Sequence, residues 1–156
     1  MKTSDAGRHF IEGWEGLYLH TYNDGVGVPT IGYGHTTAAG PPAVHYGMVI
    51  TKDQADQFLA ADLASVELDV EHNVKPILNQ NQFDAIVSFT YNLGVGNLRR
   101  SNVLRAINSG HFGEVPHDML AWDRGGGHFM LGLYRRRVAE GALFSKPIVD
   151  VSSKNK

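Results

Sequence analysis

Residues 14–36 read WEGLYLHTYNDGVGVPTIGYGHT and form the most informative part of this chain. The stretch begins at the end of an apolar helical pattern and continues as an alternating, aromatic-rich run, which predicts a strand. The Asn-Asp-Gly triplet at 23–25 predicts a tight turn, and residues 29–33 predict the returning strand. We therefore expect a short helix followed by a β-hairpin.

Three residues of this stretch carry groups suited to acid–base chemistry, namely Glu15, Asp24 and Thr30. A carboxylic acid on one side of a cleft can protonate a leaving oxygen, while a carboxylate and a hydroxyl on the other side hold a water. Because apolar surroundings raise the pKa of a carboxyl, shielding by Trp14 would help Glu15 to keep its proton. The combination indicates hydrolysis of a glycosidic bond, although each residue alone also suits a helix end, a turn or a strand.

The rest of the chain has mostly helical patterns. The longest predicts a helix over residues 51–72, in which Thr51 and Gln54 match a capping box. Residues 82–93 are apolar nearly all round, which predicts a buried central helix, and the glycines at 125–127 predict a flexible loop. Shorter helices are predicted over residues 4–14, 101–108, 114–122 and 133–144.

These patterns predict an α+β fold that is mostly α, with a small hairpin region, a long connecting helix and a helical bundle behind it. A chain of 156 residues suits one domain of two lobes. We expect lobes at approximately 1–60 and 75–146, joined by the helix at 51–72. The polar tail from Pro147 is expected to be frayed.

Composition excludes several classes of site. The chain has no cysteine, which rules out disulfides, thiolate nucleophiles and cysteine-based zinc sites. Its eight histidines lack the spacing of a metal-binding helix, so we expect neither a metal nor a cofactor. No apolar run approaches the roughly 20 residues that cross a bilayer, and the start lacks a secretion signal. We expect a chain made in the cytoplasm, without stable membrane insertion.

Charge is distributed unevenly along the chain. Residues 1–78 hold 4 basic and 10 acidic side chains, whereas residues 79–156 hold 10 and 6, which together give the net charge of −2. The basic surplus includes the run Arg135-Arg136-Arg137. These arginines could face an anionic polymer, or they could form a solvated helix face without a partner.

Three blocks of the chain resemble the phage-type lysozymes, the muramidases that tailed phages use as endolysins. The first block is the opening stretch with Glu15, Asp24 and Thr30. The others are residues 83–96, around the run SFTYNLGVG, and residues 122–144, around LGLYRRR and AEGALF. Together the blocks cover nearly the whole chain.

The resemblance implies two lobes with a cleft between them, and hydrolysis of the β-1,4 bond between N-acetylmuramic acid and N-acetylglucosamine. Glu15 would be the general acid, Asp24 would orient and activate water, and Thr30 would help to hold that water. Thr36 and Asn92 would line the cleft and bind substrate. The family implies inversion, which places the two carboxyls about 6.5–9.5 Å apart.

By the same resemblance, the partner would be bacterial peptidoglycan, reached in the periplasm after release or delivery from the host cytoplasm. The protein would act as a monomer with no nucleic-acid partner. Two alternatives stay open. A lytic transglycosylase would use Glu15 alone and release 1,6-anhydro sugars, and a noncatalytic wall-binding protein would use none of the three residues as a catalyst.

Overall fold

The computed structural model describes residues 1–149, so the end of the tail predicted to fray, residues 150–156, lies outside the described part. The fold is α+β and mostly α, as predicted. The helices are α1 Asp5–Glu15, α2 Lys52–Asn73, α3 Gln80–Leu93, α4 Val95–Arg100, α5 Asn102–Asn108, α6 Val115–Met119 and α7 Leu131–Ser145. The strands are β1 Tyr18–Asn23, β2 Pro29–Gly32, β3 His35–Thr36, β4 Arg124–Gly125 and β5 His128–Phe129. No helix within residues 1–149 combines the length and the apolar character that spanning a membrane requires.

The helix and hairpin predicted at the start of the chain are both present. The side chain of Ser4 caps α1 by accepting a hydrogen bond from the backbone N–H of Gly7. Strands β1, β2 and β3 then form one antiparallel sheet in that order. The register pairs Thr30 on β2 with Tyr22 on β1 and with Thr36 on β3. The sheet thus places the predicted threonines side by side.

The long helix α2 begins at the predicted capping box. The hydroxyl of Thr51 accepts from the Gln54 N–H, and the Gln54 side chain accepts from the Thr51 N–H. The helix has 22 residues, which corresponds to a length of about 33 Å. It packs against β2 and β3 near its start and against α3 and α4 farther along. One element therefore contacts both the sheet and the helical bundle.

Helix α3 forms the centre of the core, as its apolar pattern predicts. All residues from Phe83 to Thr90 are buried. Helices α1, α2, α4 and α7 pack around it. At the start of α1, the backbone N–H and hydroxyl of Ser4 donate to the Asp84 carboxylate. A Cβ at Gly7 would lie 2.5 Å from Asp84 Cγ, so glycine permits this close approach.

Two segments differ from their predictions. The loop predicted at 125–127 is the turn of the β4–β5 hairpin, and Gly126 and Gly127 adopt φ of +58° and +80° there. The helix predicted over 114–122 is limited to α6, preceded by a single 3₁₀ turn. Both segments are short, so they carry too few residues for periodicity to define their bounds. The lobe boundaries at 1–60 and 75–146 stay a prediction, and within them α1 packs against α3 of the second lobe.

Candidate active site

A cleft of about 590 Å³ lies between the sheet and helices α2 and α3. Of the five predicted site residues, Glu15, Thr36 and Asn92 line this cleft. Tyr91 of α3 and Asp62 of α2 line it as well. The cleft is thus walled by residues from both the sheet and the helical bundle.

Glu15 is the last residue of α1, and its side chain is 19 % exposed. Its Oε1 accepts a hydrogen bond from Arg136 Nη1 at 2.6 Å. The backbone at Gly34 runs past the same carboxyl with φ of +94°, and a Cβ there would lie 3.4 Å from Glu15 Oε2. Trp14, expected to shield Glu15, is 37 % exposed and packs edge-on against Phe10. The group that the structure places against Glu15 is therefore a guanidinium.

Arg136 and Arg137 are buried, which corrects both interpretations of this basic run, although Arg135 is exposed. Their shared partner is Glu140, which lies one turn later on the same buried face of α7. Arg136 Nε donates to Glu140 Oε2 at 3.4 Å, and Ser88 Oγ donates to the same oxygen at 2.6 Å. A buried charge is costly unless it is paired. The Glu140 carboxylate between two guanidiniums therefore allows all three charged groups to be buried.

Arg137 connects this buried cluster to the cleft. Its Nη2 donates to the Asn92 side-chain oxygen, and its guanidinium lies 5.2 Å from the centre of the Phe89 ring. Because the oxygen of Asn92 is occupied by Arg137, the amide NH₂ is the end that can donate to a molecule in the cleft. Burial lowers the pKa of Arg137, while Glu140 acts against that shift.

Asp24 is held by its own loop. Its Oδ1 accepts from the backbone N–H of Val26 at 2.9 Å and of Val28 at 3.1 Å. Asn23 Oδ1 likewise accepts from the N–H groups of Gly25 and Gly27, both at 3.0 Å. These are interlocked side-chain turns, so the connection is longer than the tight turn predicted at 23–25. Asp24 itself is exposed.

Thr30 is buried on β2, and its Oγ1 donates to the carbonyl of Val28 at 3.0 Å. The same residue, Val28, gives its N–H to Asp24. The backbone of one residue, Val28, thus orients both Asp24 and Thr30. Since the Thr30 hydrogen is used in this bond, its oxygen can still accept a hydrogen bond from another group.

Tyr22 relates the two carboxyls to each other. Burial raises the pKa of the Tyr22 phenol, and Tyr18, Glu15 and Asp24 raise it further through their negative charges. The rings of Tyr18 and Tyr22 lie 4.1 Å apart, centre to centre. Glu15 and Asp24 therefore both act electrostatically on the Tyr22 phenol.

His35 holds a loop through hydrogen bonds. Its Nδ1 lies 2.8 Å from Asp62 Oδ2, and its Nε2 lies 2.9 Å from the carbonyl of Pro42. Burial raises the pKa of Asp62, and the hydrogen bond from His35 acts against that shift. Across residues 1–149, no three histidine, aspartate or glutamate side chains are grouped so that they could hold a metal ion.

A known protein family matches most of the chain. The family model described as phage lysozyme matches residues 12–140. The chain belongs to the phage lysozyme family. The matched range contains Glu15, Asp24, Thr30 and the buried cluster on α7.

Within the phage lysozyme family, one relative is the endolysin of Bacillus phage B103, 37 % identical over 149 residues. The match covers 92 % of this chain and 54 % of that endolysin, so the chain spans about half the length of this relative. A mutant form of P22 lysozyme has a TM-score of 0.85 at 36 % identity, covering 94 % of this chain and 99 % of that one. The muramidase domain of SpmX from Asticaccaulis excentricus has a TM-score of 0.86 at 36 % identity, with the same coverage.

Sequence reasoning did not find the cluster of Arg136, Arg137 and Glu140. Its only local signal is spacing, because Glu140 follows the two arginines by four and three residues, the separations at which helix side chains meet. That spacing predicts ion pairs but says nothing of burial. The contact between Arg136 and Glu15 spans 121 residues and has no local signal.

Proposed function

We propose that this protein is a muramidase, a glycoside hydrolase that cleaves the β-1,4 bond between N-acetylmuramic acid and N-acetylglucosamine in peptidoglycan. The observation that carries the proposal is the half-buried Glu15 carboxyl, which Arg136 holds on a cleft of about 590 Å³. Membership of the phage lysozyme family supports it. The muramidase domain of SpmX and the lysozyme of P22, both similar in fold and sequence, support it as well.

In this proposal Glu15 is the general acid. It donates its proton to the glycosidic oxygen as the bond to the anomeric carbon breaks. Asp24 accepts a proton from a water that attacks the opposite face of that carbon, so the new hydroxyl has the inverted configuration. Thr30 accepts a hydrogen bond from the same water, because its own hydrogen is held by the Val28 carbonyl.

Thr36 and Asn92 are proposed to bind the sugar. Both line the cleft, Thr36 from β3 and Asn92 from α3. The amide NH₂ of Asn92 would donate to a carbonyl such as that of an N-acetyl group, while Arg137 fixes the direction of the amide. Peptidoglycan offers an acetamido group on every ring, which suits a cleft with convergent polar groups.

We further propose that the protein acts as a monomer on bacterial peptidoglycan in the periplasm, and that it lyses the cell. Release from the host cytoplasm or delivery by another assembly would bring it there. The scheme needs neither a nucleic-acid partner nor stable membrane insertion. Both proton transfers use side chains of this chain, so it needs no cofactor.

The decisive experiment is digestion of purified sacculi, followed by mass spectrometry of the products. Wild type is expected to release fragments with ordinary reducing ends, and Glu15→Gln is expected to be slower by about 10²–10⁴-fold. Glu12→Gln, on the same helix, is the matched control and should keep wild-type activity. Anhydro ends would contradict the hydrolase and support a lytic transglycosylase. Binding without any product would leave the noncatalytic wall-binding alternative.

A further inference from the structure

The buried cluster on α7 consists of charged side chains that pair with one another. Glu140 and Arg137 are fully buried, Arg136 is nearly so, and Arg136 extends to Glu15. The cluster and Glu15 thus bring together two guanidiniums and two carboxyls. Because a guanidinium does not lose its proton in proteins, the two positive charges are permanent.

A general acid changes the balance of this cluster. To begin a turnover, Glu15 must carry a proton and be neutral. Glu140 is then the carboxylate in the cluster that faces the two guanidiniums. Without its charge, both guanidiniums would favour the ionised form of Glu15 and deprive the site of its acid.

Arg136 is shared between the two carboxyls. Its Nε faces Glu140 Oε2 at 3.4 Å, while its Nη1 donates to Glu15 Oε1 at 2.6 Å. Its Nη2 donates to the Ser88 carbonyl at 3.2 Å, which fixes the plane of the guanidinium. The two carboxyls therefore share one guanidinium, so ionisation of one affects ionisation of the other.

Glu140 is held firmly in place for this role. Ser88 Oγ donates to its Oε2 at 2.6 Å. Its Oε1 lies 3.0 Å from Arg137 Nη1, close enough for charge attraction but not aligned for a hydrogen bond. Burial raises the pKa of Glu140, and Arg137, Arg136 and the Ser88 hydroxyl act against that shift.

The neighbouring elements add little other charge to this cluster. Helix α3 faces it with Ser88, Asn92 and Tyr91, and burial raises the pKa of the Tyr91 phenol, which keeps it neutral. Helix α6 approaches α7 through Pro116 at Gly141. Strand β4 approaches α7 through Gly125, which lies against Leu133. Helix α1 contributes Glu15 itself.

We propose that Glu140 is a positioning residue for Glu15, acting through Arg136: its buried negative charge lets Glu15 hold a proton at the pH where the enzyme works. The proposal rests on the proposed function, since it assigns a purpose to the protonation of Glu15. A purely structural role for Glu140 would affect stability alone. The titration of Glu15 distinguishes the two roles, because a purely structural role would leave its midpoint unchanged.

The test is Glu140→Gln, studied by NMR titration of the Glu15 carboxyl carbon and by the pH profile of sacculus digestion. Loss of the buried negative charge should move the titration midpoint, and the basic limb of activity, to lower pH by about 1–3 pH units. Arg137→Gln removes a positive charge and should move both in the opposite direction. It also serves if Glu140→Gln does not fold.

Asp84→Asn is the matched control, because it neutralises another buried carboxyl of the core that contacts Ser4. It should lower stability without moving the Glu15 midpoint. An unchanged midpoint in folded Glu140→Gln, or in Arg137→Gln, would overturn the proposal. The Glu15 midpoint is measured without turnover, so it tests the role of Glu140 alone. The proposed function is tested separately, because hydrolysis by Glu15→Gln would contradict it.

Discussion

The carboxyls of Glu15 and Asp24 are held by opposite means. Glu15 is fixed by Arg136, a buried side chain 121 residues away on the last helix. Asp24 is fixed by the backbone N–H groups of Val26 and Val28, at most four residues away in an exposed loop. The first arrangement depends on the whole helical bundle, whereas the second depends on one short segment.

This difference predicts how substitutions affect the contacts that hold each carboxyl. The support of Glu15 includes buried charges, whose removal leaves partners unpaired in a low-dielectric core. The support of Asp24 consists of main-chain donors that any side-chain substitution outside the loop leaves intact. Changing the Asp24 side chain should therefore act mainly on activity, whereas removing a buried partner behind Glu15 should also lower stability.

The largest effect is expected from Asp24→Asn. The amide oxygen can still accept from Val26 and Val28, so the loop should keep its shape and the free energy of unfolding should change by less than about 0.5 kcal/mol. Sacculus hydrolysis should fall by about 10²–10⁴-fold, because the group that accepts the proton of water is lost. Asp24→Ala should lose activity and also part of the loop stability. Full activity of Asp24→Asn would contradict the assignment.

The next effect concerns the support of Glu15. Ser88→Ala removes the hydroxyl that donates to Glu140, and both residues are fully buried. A hydrogen bond to a charged group contributes about 1.5–3 kcal/mol, so urea denaturation should show a loss of this size. Ser65→Ala, at an exposed serine of α2, is the control and should change stability little. Equal losses in both variants would show that the buried network adds nothing.

A smaller effect is expected in the loop of Asp24. Gly27 has φ of +84°, and a Cβ there would meet no atom within 4 Å. The cost of Gly27→Ala is therefore one of backbone conformation alone, about 1–2 kcal/mol. Gly13→Ala, in the α1 helix and equally free of contacts, should instead stabilise the protein. Thermal unfolding checks the opposite signs, and destabilisation by both changes would contradict the backbone explanation.

The smallest effect is expected at Glu12, a carboxyl of α1 that holds neither Glu15 nor Asp24. Burial raises the pKa of Glu12, and the nearby Asp56 raises it further. The contribution of Glu12 to stability is then fully present at low pH and is lost as the pH rises through its folded pKa. Glu12→Gln does not titrate, so it should be more stable than wild type by a few tenths of a kcal/mol at pH 7. At pH below about 4 the advantage should vanish, and an equal gain at both pH values would refute this origin.

The sequence predicted what depends on neighbours along the chain. The capping box at Thr51 and the hairpin around Asp24 follow from residues within a few positions of each other. The sequence did not predict which face of α7 is buried, so Arg135, which is exposed, could not be told from Arg136. That distinction depends on how α7 packs against α3, a contact between distant segments. The catalytic roles of the site residues stay proposals.

The attachment of α1 has a mechanical consequence. Ser4 joins α1 to α3 and Glu15 joins it to α7, so α1 is anchored to the helical bundle at both ends. The sheet that carries Asp24 rests instead on the start of α2, where Gly32 meets Ala55. The distance between Glu15 and Asp24 therefore depends on how the sheet and the helical bundle pack together, and not on either one alone. In the proposed mechanism, a change in the packing of the sheet on α2 would alter the room for the attacking water between these two residues.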